Sequence, residues 1–262
     1  MTMVIISLLL LVSLPPQLTF TAHVGIVNGN EATPHSRPYM VSVQYKGHHI
    51  CGGFLINEAF VLTAAHCRTN ITLYLTIMVG AHNLQNMSQG AKRIRVKSYY
   101  KHLDYYDRPR YVNDIMLLKV KNRQTGLIEK VTRSQTVSWI SIPKENGGIN
   151  KDAVCSVAGW GSLVFNGTPS PVLMETNVKI MNNANCEERL QSEFLPSQMM
   201  CVYGDGGSCS GDSGGPLVCG DTAVGVTSFV DTNICNSPEY PNVYTKISAF
   251  LQWINNIIKS DI

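Results

Sequence analysis

The chain has 262 residues, of which 44% are hydrophobic, 15% charged and 8% aromatic, with a formal charge of +3. That composition excludes a disordered or low-complexity chain, and so mild a charge gives no reason to expect a nucleic-acid partner. The length fits two small domains or one large all-β unit, and no apolar run beyond Phe20 approaches a membrane span.

The chain opens on an apolar run over residues 4–14, followed by Pro15-Pro16 and a polar stretch ending in Thr21-Ala22. The run is too short to cross a bilayer comfortably and reads as an export signal over residues 1–22, although its start lacks Lys and Arg. The adjacent prolines argue against the alternative, a buried N-terminal helix. Export fits the eight cysteines at positions 51, 67, 155, 186, 201, 209, 219 and 235. An even number in an exported chain predicts disulfides, with on the order of a hundred pairings open from spacing alone. No C-x-x-C pair is present to suggest zinc. Sequons at Asn70, Asn86 and Asn166 predict glycosylation on a secretory route.

From residue 26 onwards, short runs rich in Val, Ile, Tyr and Thr alternate with turns marked by Gly and Pro, a pattern that predicts an all-β protein. Strands are expected at residues 40–45, 53–55, 60–62 and 223–229. His48 and His49 are adjacent in a strand pattern and so face opposite sides, which makes them ordinary strand residues rather than a metal pair. Between residues 80 and 103 there is no Asp or Glu, while Lys92, Arg93, Arg95, Lys97 and Lys101 cluster. This predicts either a solvated strand face or a patch for an anionic partner such as sulfated proteoglycan. At the far end, Phe250, Trp253, Ile254, Ile257 and Ile258 recur at helical spacing, with Ser248 placed to cap the helix and Asp261 beyond it. No internal sequence repeat is visible.

The segment Gly207-Ser208-Cys209-Ser210-Gly211-Asp212-Ser213-Gly214-Gly215-Pro216 carries the chemical signal. A serine flanked by glycines sits where backbone N–H groups can converge on one point. Attack of a serine hydroxyl on an amide carbonyl creates an oxyanion, and pre-oriented N–H donors are worth about 2.7–4 kcal/mol of barrier each. The hydroxyl needs a base, and the base needs an orienting carboxylate. Thr63-Ala64-Ala65-His66-Cys67 supplies a histidine at the end of an apolar strand, and Asn113-Asp114-Ile115-Met116-Leu117-Leu118 supplies a carboxylate before an apolar run.

These segments, in the order His66, Asp114, Ser213 and with VAGWG at residues 157–161 between the last two, resemble the chymotrypsin-like serine proteases over nearly all of residues 26–262. The resemblance implies two six-stranded Greek-key β-barrels flanking an active-site cleft, with a docked C-terminal helix. It implies His66 as general base and acid, Asp114 as its orienting partner, Ser213 as nucleophile, and the N–H groups of Gly211 and Ser213 as the oxyanion hole. It also implies the disulfides Cys51–Cys67, Cys155–Cys219, Cys186–Cys201 and Cys209–Cys235. Ile26-Val27-Asn28-Gly29 resembles the family's activated N-terminus, whose ammonium would pair with Asp212. Residues 23–25 are then a short propeptide. Gly25 offers no site to a trypsin-like activator, and so short a stub resembles those removed by aminodipeptidases. The stretch Pro34-His35-Ser36-Arg37-Pro38-Tyr39-Met40 resembles the haematopoietic granule proteases (granzymes, mast-cell proteases and neutrophil elastase), and Ser228-Phe229-Val230 looks most like neutrophil elastase.

By the same alignment the specificity pocket is built from Gly207 at its base, Ser208, Val230 and Asn242, with Ser228, Phe229 and Val230 offering backbone to an extended substrate. No carboxylate lies at the base, so a cationic P1 side chain would lose hydration without gaining a partner. Val230 narrows the pocket, which predicts an elastase-like preference for small to medium aliphatic residues. A chymase-like preference for larger apolar or aromatic residues is the alternative, and a catalytically dead, cationic binding homologue is the rival from another class. The resemblance implies protein substrates, protein protease inhibitors and a monomer in a secreted or granule-stored setting. No cofactor and no metal are expected, because Ala81 stands where calcium-binding relatives place a carboxylate.

Overall fold

The structure, a computed structural model, describes residues 25–72, 74–86, 90–106, 111–121, 130–145, 147–164, 166–231 and 234–260. The expected export signal, residues 23–24 and Asp261 lie outside the described residues.

Six strands form a closed antiparallel barrel: β2 (Met40–Tyr45), β3 (His48–Leu55), β4 (Phe60–Thr63), β5 (Leu75–Val79), β6 (Lys92–Lys101) and β7 (Met116–Lys121), in the order β2-β3-β4-β7-β6-β5. A second set follows: β8 (Val154–Gly159), β9 (Met174–Ile180), β10 (Met199–Tyr203), β11 (Pro216–Cys219), β12 (Thr222–Phe229) and β13 (Asn242–Lys246). Its order is β9-β10-β13-β12-β11-β8, and the pairing of β8 with β9 closes the ring. The short β1 (Asn30–Glu31) adds to β9 from outside. Both rings therefore follow the same strand path, a repeat of topology that the residues themselves do not show.

Local sequence explains the strands. In β6, Ile94 turns inward between exposed Arg93 and Arg95, the alternation of a sheet with one wet face. By contrast β4 is buried along its whole length, an apolar run Phe-Val-Leu closed by Thr63, whose hydroxyl donates to the Gly52 carbonyl. One core is centred on Phe54, Leu62, Ile77 and Leu117 of the first barrel, and another on Val157, Met174, Leu217 and Tyr244 of the second. Trp160, fully buried, packs with Ala32, Met40, Ala158 and Leu173 and donates its indole N–H to the His82 carbonyl at 3.0 Å.

Helix α2 (Leu251–Ser260) follows the second barrel in sequence yet packs onto the core of the first through Trp253, Ile254, Ile257 and Ile258, joined by the preceding Phe250, which His102 meets edge-on. Ser248 does not cap it. A 3-10 turn, Ile247–Phe250, precedes the helix and takes Ser248 inside, where its hydroxyl is buried without a partner. Helix α1 (Asn183–Leu190) lies outside the strand pattern read from the sequence. It is polar apart from Ala184, Cys186 and Leu190, and Asn182 caps it through the Asn185 N–H at 2.8 Å.

The structure pairs the cysteines as Cys51–Cys67, Cys155–Cys219, Cys186–Cys201 and Cys209–Cys235.

Candidate active site

His66 lies in a 3-10 turn, Ala65–Cys67, at the end of β4, tied to β3 by the Cys51–Cys67 disulfide. Strand β4 pairs with β7 in a register that sets Thr63 opposite Met116. Continuing that antiparallel register brings residue 66 beside residues 113–114, so sheet pairing itself delivers the carboxylate. Asp114 Oδ2 is 2.7 Å from His66 Nδ1, and Oδ1 accepts the His66 backbone N–H at 3.0 Å. Ser228 Oγ–H donates to Oδ2 at 2.6 Å, and Thr245 Oγ1 donates to the Asp114 carbonyl at 2.9 Å. Asp114 has 0% side-chain exposure and His66 22%. Burial pulls the His66 imidazole down, but the charge and hydrogen bond of Asp114 outweigh it, and the net shift is upward.

Ser213 reaches the same place from the second barrel. Its carbonyl accepts the Gly52 N–H at 2.8 Å and lies 3.7 Å from Cys67 Sγ. The approach is close because Gly214 has no side chain: its φ is +82°, and a Cβ there would run into Thr63 Oγ1 and the Gly52 carbonyl. No hydrogen bond within 3.5 Å links Ser213 Oγ to His66 among the described residues. Cys51, His66 and Cys67 cluster tightly enough to suggest a metal, but both sulfurs are joined in a disulfide and His66 Nδ1 is engaged by Asp114.

Asp212 is 1% exposed, its carboxylate accepting the N–H groups of Gly161 at 2.8 Å and Cys209 at 2.9 Å. A Cβ on Gly159 or Gly161 would collide with that carboxylate, which gives both glycines of the VAGWG segment a physical task. Among the described residues no cation contacts Asp212, and burial pushes its carboxyl up to about 7. Ile26 is fully buried, and the next residue ties it to a distant segment: Val27 N–H donates to the Gly207 carbonyl at 2.9 Å, and Gly207 N–H donates to the Val27 carbonyl at 3.1 Å.

Among the residues expected to form the specificity pocket, Asn242 donates to the Ser208 carbonyl at 2.8 Å, and Ser208 Oγ is 2.8 Å from the Tyr244 hydroxyl. The Asn242 amide stands 3.2 Å from the point where a Gly207 Cβ would lie, and Asn236 Oδ1 stands 3.0 Å from it. Phe229 stacks on Tyr111 at 5.5 Å, and Tyr111 meets His66 edge-on at 5.6 Å. Val230 is partly buried beside Phe229, and Asn70, Asn86 and Asn166 are all exposed.

A family model described as trypsin matches residues 26–254. The chain is 39% identical to duodenase-1 of Bos taurus, covering 97% of this chain and 96% of that protein. It is 39% identical to granzyme B of Rattus norvegicus, covering 98% and 99% respectively. It matches the structure of neuropsin, a serine protease of mouse brain, with a TM-score of 0.77 at 30% identity over 89% of this chain and 100% of that one. The chain belongs to the trypsin family. It is a serine endopeptidase, and its two closed six-stranded rings are the trypsin-like fold.

Within this trypsin-family site, sequence reasoning passed over Tyr111 and Asn236, and it read His49 as ordinary. His49 Nε2 is 2.9 Å from the Gly211 carbonyl, and Nδ1 is 2.9 Å from Ser42 Oγ. It is therefore not an ordinary strand residue, as the sequence reading has it, but a tie to the glycine preceding Asp212. Alternation alone does not reveal this: a bulge in the β2–β3 pairing, with Val43 opposite Cys51 and Gln44 opposite His49, turns His49 to the face of Ser42 and Gln44, away from Cys51. Burial lowers the His49 imidazole to about 4, with the Gly211 carbonyl opposing. An imidazole held below its ordinary value is protonated more readily in the unfolded chain, so this group costs stability as pH falls from about 6.5 toward 4. By nitrogen NMR the His49 ring should stay neutral until about pH 4; titration near pH 6.5 would refute its burial.

Proposed function

We propose that this trypsin-family chain is an exported or granule-stored endopeptidase that cleaves through an acyl-enzyme carried by His66, Asp114 and Ser213. The observation that carries the reading is the fully buried Asp114, which accepts donors from His66 Nδ1, the His66 backbone and Ser228 at once. Held so, the imidazole keeps its proton on Nδ1 and presents Nε2 as the base. Nε2 takes the Ser213 proton as Oγ attacks the scissile carbonyl, and the oxyanion faces the N–H groups of Gly211 and Ser213. The imidazolium then protonates the leaving amine, and water repeats the sequence on the ester.

The same reading makes the activity conditional. Removal of the signal over residues 1–22 and of the stub over residues 23–25 would free the Ile26 ammonium, the partner that the buried Asp212 carboxylate lacks. Breaking a buried charge pair costs about 3–5 kcal/mol, enough to order or disorder a pocket. The reciprocal bonds between Val27 and Gly207 give the inserted terminus a direct hold on the pocket base. In protein beginning at Ile26, Asp212→Asn should leave a folded enzyme with activity reduced at least about a hundredfold, on the scale of that lost pair. Full turnover of a peptide substrate would sink the activation mechanism.

For specificity, we read Gly207, Ser208, Val230 and Asn242 as the pocket; the Asn242 amide, 3.2 Å from where a Gly207 Cβ would lie, supports a short one. A short pocket favours small to medium aliphatic P1 residues. A peptide library varied at P1 should show cleavage mainly after Val, Ala, Ile, Leu or Met, and a preference for Phe or Tyr would replace this reading by the chymase-like one. Glycans at Asn70, Asn86 and Asn166 fit their exposure.

The basic stretch also has a place in the fold. Exposed Lys92, Arg93, Arg95 and Lys97 line β6, and a groove of about 850 Å³ beside it is lined by Lys92, Lys130, Arg133, Ser134 and Thr136. This face suits a sulfated proteoglycan. Heparin affinity should fall steeply as salt rises, and salt-independent binding would exclude the electrostatic reading.

A further inference from the structure

A continuous line of hydrogen bonds joins the basic strand β6 to the loop that holds Gly211. Arg93 Nε–H donates to Gln44 Oε1 at 3.0 Å, and Gln44 Nε2 donates to Ser42 Oγ at 3.2 Å. Ser42 Oγ lies 2.9 Å from His49 Nδ1, and His49 Nε2 lies 2.9 Å from the Gly211 carbonyl. Gln44 and Ser42 are buried, at 2% and 0% exposure.

Chemistry fixes the direction at both ends. A guanidinium only donates, so Gln44 must turn its oxygen to Arg93 and its NH₂ to Ser42. A carbonyl only accepts, so His49 must carry its proton on Nε2. In a neutral ring Nδ1 is then an acceptor, and the Ser42 hydroxyl, already accepting from Gln44, is free to donate to it. All the bonds point one way, from Arg93 to Gly211.

We propose that Arg93 and Gln44 are remote positioning residues, which set the tautomer of His49 and through it hold the Gly211 peptide in place. The proposal rests on the reading of Gly211 N–H as an oxyanion donor. With the line reversed, Ser42 would donate to residue 44, His49 would carry its proton on Nδ1, and the bare Nε2 would face the Gly211 carbonyl, lone pair to lone pair. The Gly211 peptide would then lose its tie, and its N–H the aim that transition-state stabilisation needs.

Gln44→Glu tests this with almost no change of shape. A carboxylate can accept from Arg93 and only accept from Ser42, so the variant imposes the reversal while keeping Arg93 as a partner. At pH 8, nitrogen NMR of the activated protein should show the His49 proton on Nε2 alone in the parent and on Nδ1 in the variant. With a short peptide substrate, kcat should fall about 10- to 100-fold at nearly unchanged KM, approaching the loss of one oxyanion donor. Arg93→Met, which leaves Gln44 unanchored, should give a smaller loss of kcat that Arg93→Lys restores. A proton that stays on Nε2 in Gln44→Glu overturns the proposal, as does an unchanged kcat once Nδ1 is protonated. The tautomer measurement needs no turnover, so it decides the relay by itself. Failure of an organophosphorus probe to label Ser213 in the parent would instead strike the underlying catalytic reading.

Discussion

A carboxylate sealed in the interior is costly unless donors surround it, and Asp212 is held by the N–H groups of Gly161 and Cys209 with no cation in contact among the described residues. Much of the surrounding architecture follows from seating it. Gly159 and Gly161 must lack side chains, because the carboxylate occupies the space where their Cβ atoms would lie. The residues on either side of Asp212, Gly211 and Ser213, are the ones whose N–H groups the proposed chemistry uses. An ion pair formed or withheld at this position therefore acts on the reacting centre through a single peptide unit in each direction.

The cleft itself depends on how closely two rings with the same strand order can meet. The contact is made by backbone: Gly52 N–H on the Ser213 carbonyl, with Gly214 pressed against Thr63. Any bulk there would push His66 and Ser213 apart, since each lies beside one of these contacts. Helix α2 reinforces the joint, because it belongs by sequence to the second ring and by packing to the first. The His66–Asp114 pair, by contrast, is internal to the first ring and comes from the β4–β7 register.

The line from Arg93 to Gly211 gives a second, independent hold on the same loop. It differs from the Asp212 seat in kind, since it works through hydrogen-bond direction rather than charge. It also makes Arg93 a member of two features, the exposed basic face of β6 and the support of the Gly211 peptide. A histidine kept neutral by burial suits that use, because a neutral ring has one donor and one acceptor and so transmits direction.

The sequence by itself determined the all-β class, the strand at Met40–Tyr45, the apolar face of the terminal helix, and the residue types of the reacting centre in their order. These are local properties: alternation, helical spacing and short motifs are complete within a few residues. Only the tertiary structure decided that Ser248 is buried in a 3-10 turn rather than capping, because that turn carries Ile247 and Phe250 into the core. It alone placed Tyr111 between His66 and Phe229, and Asn236 beside Gly207, since these contacts join distant segments. The part played by Gln44 and Arg93 was equally invisible. Each looks like an ordinary strand residue, and the direction of a hydrogen-bond line exists only when all its members are in place.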